Sequence, residues 1–198
     1  KNKVTEGVLR ICISRGSGSR GYLPIGEQSP TVYITALSMP DEELTPRKLI
    51  VSQYRRLSPA ILPTHVKHAN GLNSVLARLE AEKAGMDEAL MLSENGCVSE
   101  ASSANIFWQK GGAIYTPSLS TGCLNGIMRQ RFMAFFDIIE CEAPLDALLT
   151  ADAAILTNSA YYLVPVASIT GNRLAHSDQL YHTWRIRLED DIRQSFAK

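Results

Sequence analysis

The sequence predicts an α+β fold, a mixed sheet or barrel with flanking helices, and three observations predict it. Short β-rich runs joined by tight turns fill the middle of the chain. Segments with helical apolar spacing interrupt these runs at irregular intervals. The strict strand-helix alternation of a doubly wound parallel sheet is missing.

Taken in order, VLRICIS (8–14) and TVYITAL (31–37) read as two strands, separated by RGSGSRGYLPIGEQSP, a loop heavy in Gly, Ser and Pro. MPDEELTP (39–46) is a polar, proline-bounded connection leading into a β-like run, KLIVSQY (48–54). From Asn70 the period changes: Leu72, Val75, Leu76, Leu79 and Ala84 recur at helical spacing, charged residues fill the other faces, and Gly85 is a natural stop. EALMLS, CVSEA, NIFWQK and AIYTP follow, joined by ENG and GG turns, and predict a β-meander. Asn125 to Phe136 has the spacing of a helix, with Asn125 as its cap. A short helix at 144–151, strands at 153–157 and 163–169, and a closing helix at 177–196 complete the reading.

Composition excludes several classes of function. The chain has 198 residues, and twenty basic side chains balance twenty acidic ones, so no global field draws it to nucleic acid or to an anionic membrane. No apolar run approaches the roughly 20 residues of a membrane span. Cys12, Cys97, Cys123 and Cys141 form no CxxC pair, which argues against a zinc site and reads as reduced thiols in a cytoplasmic protein. The opening KNKVTEGVLR has neither a signal-peptide core nor an initiator methionine, so the first residue is not expected to be the natural start.

Several constellations carry chemistry. Gly16 to Gly21 matches GxGxxG after a strand, yet Pro24 and Pro30 forbid the helix a dinucleotide site needs, so this is a loop. Its Arg15 and Arg20 could meet a carboxylate substrate, or simply be solvated. His65 and His68 have no acidic or thiol partner at useful spacing, and no metal site is expected. Lys67 lies between a proline-marked turn and an apolar helix, where a strand end would bury it and make it a nucleophile and base. Glu100, in a stretch with few charges, reads as a buried carboxylate that wants a cationic partner, either a core salt bridge or a protonated ring nitrogen. GCLNGIMRQ places Gly122 and Gly126 around a helix start, whose amides and dipole form an anion site. LTNSA (156–160) ends a strand with three hydrogen-bonding side chains that could complete the cradle.

KHANGLNSVLARLEAEKAGMDEALMLSENGCVSEASSANIFW followed by YTPSLSTGCLNGIMRQ resembles the fold type IV pyridoxal phosphate enzymes, a group of branched-chain aminotransferases, D-amino acid aminotransferases and 4-amino-4-deoxychorismate lyases. The wording is closest to the lyases, with KHxN, DEAL, ANIFW, YTP and NGIMR where the aminotransferases have a GITR-like string, and EGVLRICISRGSGSRGY is similar to their arginine- and glycine-rich segment. The resemblance implies the large C-terminal lobe of the D-amino acid aminotransferase-like fold. Residues 1–22 would be an interlobe strand and linker and 23–198 the cofactor-binding lobe, with the small N-terminal lobe and its phosphate-binding arginine outside the chain.

It further implies pyridoxal 5'-phosphate as cofactor, with Lys67 as the Schiff-base lysine and Glu100 as partner of the pyridine nitrogen. Leu124 would lie against the ring, Ile127 and Met128 would offer amides to the phosphate, and Asn158 and Ser159 would form the second phosphate-side turn. Gly71 departs from the family, which often carries tyrosine or arginine there. The implied activity is conversion of 4-amino-4-deoxychorismate to 4-aminobenzoate and pyruvate, a step of folate biosynthesis, in a homodimer. The alternatives are an aminotransferase of branched-chain or D-amino acids and a domain that binds no cofactor.

Overall fold

The computed structural model describes residues 7–18, 20–38 and 45–196; Ser19 and most of the connection at 39–46 lie outside the described residues. The chain divides into two compact units, Lys1–Glu43 and Leu44–Lys198. The second strand is hydrogen-bonded to the first, so both lie in the first unit. Strands β1 (Val8–Ser17) and β2 (Ser29–Leu37) form an antiparallel hairpin in which Ile11 faces Ile34 and Ile13 faces Val32.

The second unit is built on a nine-stranded mixed sheet. Its strands are β3 (Arg47–Val51), β4 (Glu88–Leu92), β5 (Val98–Ala101), β6 (Asn105–Lys110), β7 (Ala113–Pro117), β8 (Ile138–Cys141), β9 (Ala153–Asn158), β10 (Tyr162–Ile169) and β11 (Asn172–Arg173). Their order is β5-β4-β3-β10-β9-β6-β7-β8, with β11 on β10. β3 runs parallel to both β4 and β10, and β7 runs parallel to β8. The expected meander is thus two hairpins, β4–β5 and β6–β7, separated by three strands. The meander reading fails because the free edge of β4 is taken by β3 and that of β6 by β9. Apolar runs such as EALML are buried along their whole length, as expected where both faces of a sheet are covered.

Alternation along the central strands sorts residues into two cores. Ile106, Trp108, Ala154, Leu156, Val164 and Val166 pack with Leu148 of α3 (Leu145–Leu149). Phe107, Ile155 and Leu163, on the opposite face, pack with Met128 and Phe132 of α2 (Ile127–Phe135) and with Leu180, Trp184 and Leu188 of α4 (Ser177–Phe196). Trp184 is the hub of the second core, with ring centroids 4.6 Å from Phe132, 4.7 Å from Phe136 and 5.1 Å from Phe107.

Helix α1 (Leu72–Lys83) ends just before Gly85, whose φ of 68° suits a glycine stop. Its buried stripe is Ala77 and Ala81, against Ala89 and Met91 of β4, whereas Leu72, Val75 and Leu79 are exposed. Small residues let the helix lie close on the strand, so the larger apolar residues fall on its outer side. No helix among the described residues is long and apolar enough to cross a membrane.

Trp184→Ala is expected to cost about 3–5 kcal/mol of stability, because it empties the centre of an aromatic cluster. Urea unfolding followed by far-UV circular dichroism measures it, and a cost under about 1 kcal/mol would show that the cluster collapses around the gap.

Candidate active site

β5 and β6 are joined by a short turn that brings Glu100 and Asn105 together. The turn is fixed from below by Glu88, a buried carboxylate that accepts hydrogen bonds from the hydroxyls of Ser102 and Ser103 and from the Ala89 amide at 2.8 Å. A carboxylate with three donors is solvated by the protein itself, which makes its burial tolerable.

Glu100 is 6% exposed, and both of its oxygens are engaged. Oε1 pairs with Nη2 of Arg56 at 2.9 Å. Oε2 accepts from the Leu124 amide at 3.0 Å and from Nδ2 of Asn105 at 3.1 Å. Burial pushes this carboxyl above the ordinary carboxylate range; Arg56, the Leu124 amide and then the charges of Lys67 and Arg129 pull it back down. A carboxylate offers about four lone-pair sites, so these three partners leave one for a further donor.

Arg56 is the residue that sequence reasoning missed. Besides Glu100 it reaches Gly122 O through Nε at 3.3 Å and Nη2 at 3.2 Å, and Ser74 Oγ through Nη1 at 3.2 Å. Asn105 was missed too: its amide donates to Leu124 O at 2.7 Å as well as to Glu100. The available signal was the buried carboxylate itself, which demanded a cation, and YRRLSP is a basic pair just beyond the β3 run.

Two glycines shape the approach to α2. Gly122 ends a 3-10 turn (Leu119–Thr121) in the left-handed region, with φ of 85°, and a side chain there would strike the Leu57 backbone. Gly126 is the N-cap of α2, one residue later than expected for Asn125, and any Cβ on it would run into Oδ1 of Asn105. Asn125 instead accepts from Nη1 of Arg129 at 3.2 Å, a buried arginine that also donates to Pro117 O and pairs with Glu140 at 2.6 Å. The first amides of α2, from Ile127 and Met128, have no intrahelical partner and carry the positive end of the helix dipole.

The remaining candidates divide. Lys67 is exposed, in an irregular segment and not at a strand end. β3 stops at Val51, and turns closed by Ile61 N to Ser58 O and Val66 N to Pro63 O carry the chain through polar, proline-rich sequence before α1. Its charge still acts on Glu100. Leu124 brackets the site with its main chain, Ile127 is exposed and Met128 buried. Asn158 turns inward on its own loop: Oδ1 accepts from the amides of Ala160 at 2.9 Å and Tyr161 at 3.0 Å, and Nδ2 donates to Ser103 O at 3.2 Å. Ser159 is exposed in that turn. Arg15 and Arg20 are both exposed, in the hairpin unit. Cys123 lies beside Glu100, and burial pushes its thiol up to about 11, so it is neutral at physiological pH and no nucleophile.

The family model for amino-transferase class IV matches residues 1–169. The chain belongs to the class IV aminotransferase family. Among its relatives is a Methanocaldococcus jannaschii protein named for branched-chain amino acid transamination, 36% identical over 177 residues, covering 86% of this chain and 61% of the relative. An aminodeoxychorismate lyase of Bacillus subtilis is 34% identical over 167 residues, covering 81% of this chain and 57% of that enzyme. The crystal structure of the branched-chain amino acid aminotransferase from Thermobaculum terrenum in its PLP form superposes with a TM-score of 0.74 at 26% identity, over 85% of this chain and 60% of that one. This class IV chain therefore spans less than two thirds of the length of these relatives.

Because the folded-state pKa of Glu100 lies above the unfolded one, the folded protein holds that proton more tightly. The contribution to stability is complete below the unfolded value and is lost as pH rises through the folded value. Urea unfolding from about pH 4 to about pH 8 is expected to show this loss in the wild type and a flatter profile in Glu100→Gln. Equal slopes would contradict it. Arg56→Met removes the largest downward pull, so it moves the loss to higher pH and costs about 3 kcal/mol or more where the carboxylate is ionised.

Proposed function

We propose that this chain is the cofactor-binding lobe of a pyridoxal phosphate enzyme, acting as a lyase on 4-amino-4-deoxychorismate to give 4-aminobenzoate and pyruvate. The observation that carries the cofactor reading is the state of Glu100: a buried carboxylate, held by Arg56, Asn105 and Leu124, with one acceptor position left and Lys67 close enough for its charge to register. The donor set fits the group. A glycine-capped helix start offers amides to a phosphate, and on the same side of the sheet Thr157 keeps a buried hydroxyl with no partner among the described residues. PLP, when bound, supplies an electron sink for the bond changes at the substrate carbon.

The residues of this chain do the rest. Lys67 Nζ would be the amine that holds the cofactor aldehyde and the base for the proton on the carbon bearing the substrate nitrogen, a general-base contribution of about 10² to 10⁴ in rate. Glu100 in its anionic form would accept a hydrogen bond from the ring nitrogen and favour its protonated form. The Ile127 and Met128 amides would hold the phosphate, and the Leu124 side chain would border the ring. Arg15 and Arg20 are the substrate-side candidates, and the working enzyme is a homodimer. The lyase is preferred to the aminotransferase on the wording of NGIMRQ and of the arginine- and glycine-rich opening.

Lys67→Ala is expected to abolish the visible absorbance band that appears when PLP is added, together with activity. An unchanged band would remove Lys67 from the reading. Incubation of the holoprotein with 4-amino-4-deoxychorismate should release 4-aminobenzoate, seen by its fluorescence, and pyruvate. Glutamate formation from branched-chain amino acids and 2-oxoglutarate, with no 4-aminobenzoate, would make it an aminotransferase.

A further inference from the structure

Arg129 of α2 is 2% exposed, whereas Glu140 of β8, its partner in an ion pair, has a side chain 42% exposed. A guanidinium taken out of water against a carboxylate still in it gains little stability, because solvent screens the attraction while the cost of burial remains. Its hydrogen bonds point to another use. Nη2 donates to Pro117 O at 3.0 Å, where β7 ends, and Nη1 donates to Oδ1 of Asn125 at 3.2 Å, two residues before α2 begins. Pro117 and Asn125 bound the loop between β7 and α2, so one planar fork closes that loop at both ends. Nε has no partner among the described residues, which leaves the fork committed to the loop ends and to Glu140.

The loop delivers Leu124 to Glu100. The Leu124 amide donates to Oε2 at 3.0 Å, and the Leu124 carbonyl accepts from Nδ2 of Asn105 at 2.7 Å and from the Gly126 amide at 2.9 Å. Arg56 holds the middle of the loop, at Gly122 O; Arg129 holds its ends. The charged and titratable groups around Glu100 are Arg56 from the segment after β3, Lys67 from the segment before α1, Arg129 from α2, and Cys123, a neutral thiol, from the loop itself. We propose that Arg129 is a positioning residue for Glu100: by closing both ends of the loop it keeps the Leu124 amide on Oε2, and so fixes which acceptor position of the carboxylate is left for a cofactor ring nitrogen. Only the last step rests on the cofactor reading above.

The clamp is tested without cofactor, by urea unfolding from about pH 4 to about pH 9, each variant being compared with its own Glu100→Gln double so that the difference isolates the Glu100 contribution. The Leu124 amide favours the carboxylate anion, so its loss raises the folded-state value and moves the pH at which that contribution is lost upward. Arg129→Met is expected to move it by about one unit or more, the worth of a hydrogen bond to a charged group. Arg129→Lys keeps the charge but cannot span Pro117 and Asn125 at once, and should shift it in the same direction. Asn125→Ala opens one end of the loop with the guanidinium in place, and should give a smaller upward shift. Lower stability with that pH unchanged in Arg129→Met, or in Asn125→Ala if the arginine variants do not fold, overturns the proposal and makes Arg129 purely structural. A wild-type value in Arg129→Lys overturns it in favour of charge alone. A wild-type chain that shows no visible band with PLP removes the cofactor reading, while the shifts, read without PLP, still decide the clamp.

Discussion

The ion pair between Arg56 and Glu100 is the constraint on which the rest of the site depends. A carboxylate 6% exposed would be expelled or neutralised without a cation, and Arg56 is the cation that meets it, 2.9 Å away. The same guanidinium bonds the carbonyl of Gly122 and the hydroxyl of Ser74. It therefore fixes three segments at once: the strand that carries Glu100, the turn that leads into α2, and the helix that follows Lys67. Its planar fork can serve all three without bending, which an ammonium on a flexible stem could not.

Around that pair the polar groups form a graded set. Glu88 has three donors and no ion pair among the described residues, and it holds the turn between Glu100 and Asn105. Asn105 links Glu100 to the Leu124 carbonyl and fills the space that makes Gly126 obligatory. Each of these groups is satisfied within the protein, and what is left over among the described residues is one acceptor position on Glu100, the first amides of α2, and the Thr157 hydroxyl. A donor at one end and an anion at the other is the polarity of a pyridinium ring bearing a phosphate.

Local pattern made much of this legible in advance. Alternation and turn residues located β4 to β7, and the helical period with Gly85 located α1, because these signals are carried by neighbours in sequence. Glu100 was recognisable as a charge in an apolar run, and the α2 N-terminus by its glycines. Arg56 was not, since its pairing spans 44 residues and a basic dipeptide in a polar loop looks solvated. The same limit hid the sheet order, where β3 and β10 are neighbours although most of the chain lies between them. α1 misled in another way: its alanines, not its leucines, face the strand, because the distance between the layers decides which side chains fit. The expected burial of Lys67 failed because a strand end was assumed where turns and prolines govern the path.

The position of β3 has a consequence for how the protein is made. β3 lies between β4, synthesised soon after it, and β10, which ends at Ile169 close to the C-terminal helix. One edge of β3 therefore stays unpaired until β10, more than a hundred residues later in the sequence, has left the ribosome. Thr157 and its strand arrive equally late. Glu100 and α2 are translated before β9 and β10, and the sheet around them closes only after those strands emerge. A chain stopped before residue 162 would lack the strand that joins the β4–β5 hairpin, through β3, to the β6–β7 hairpin.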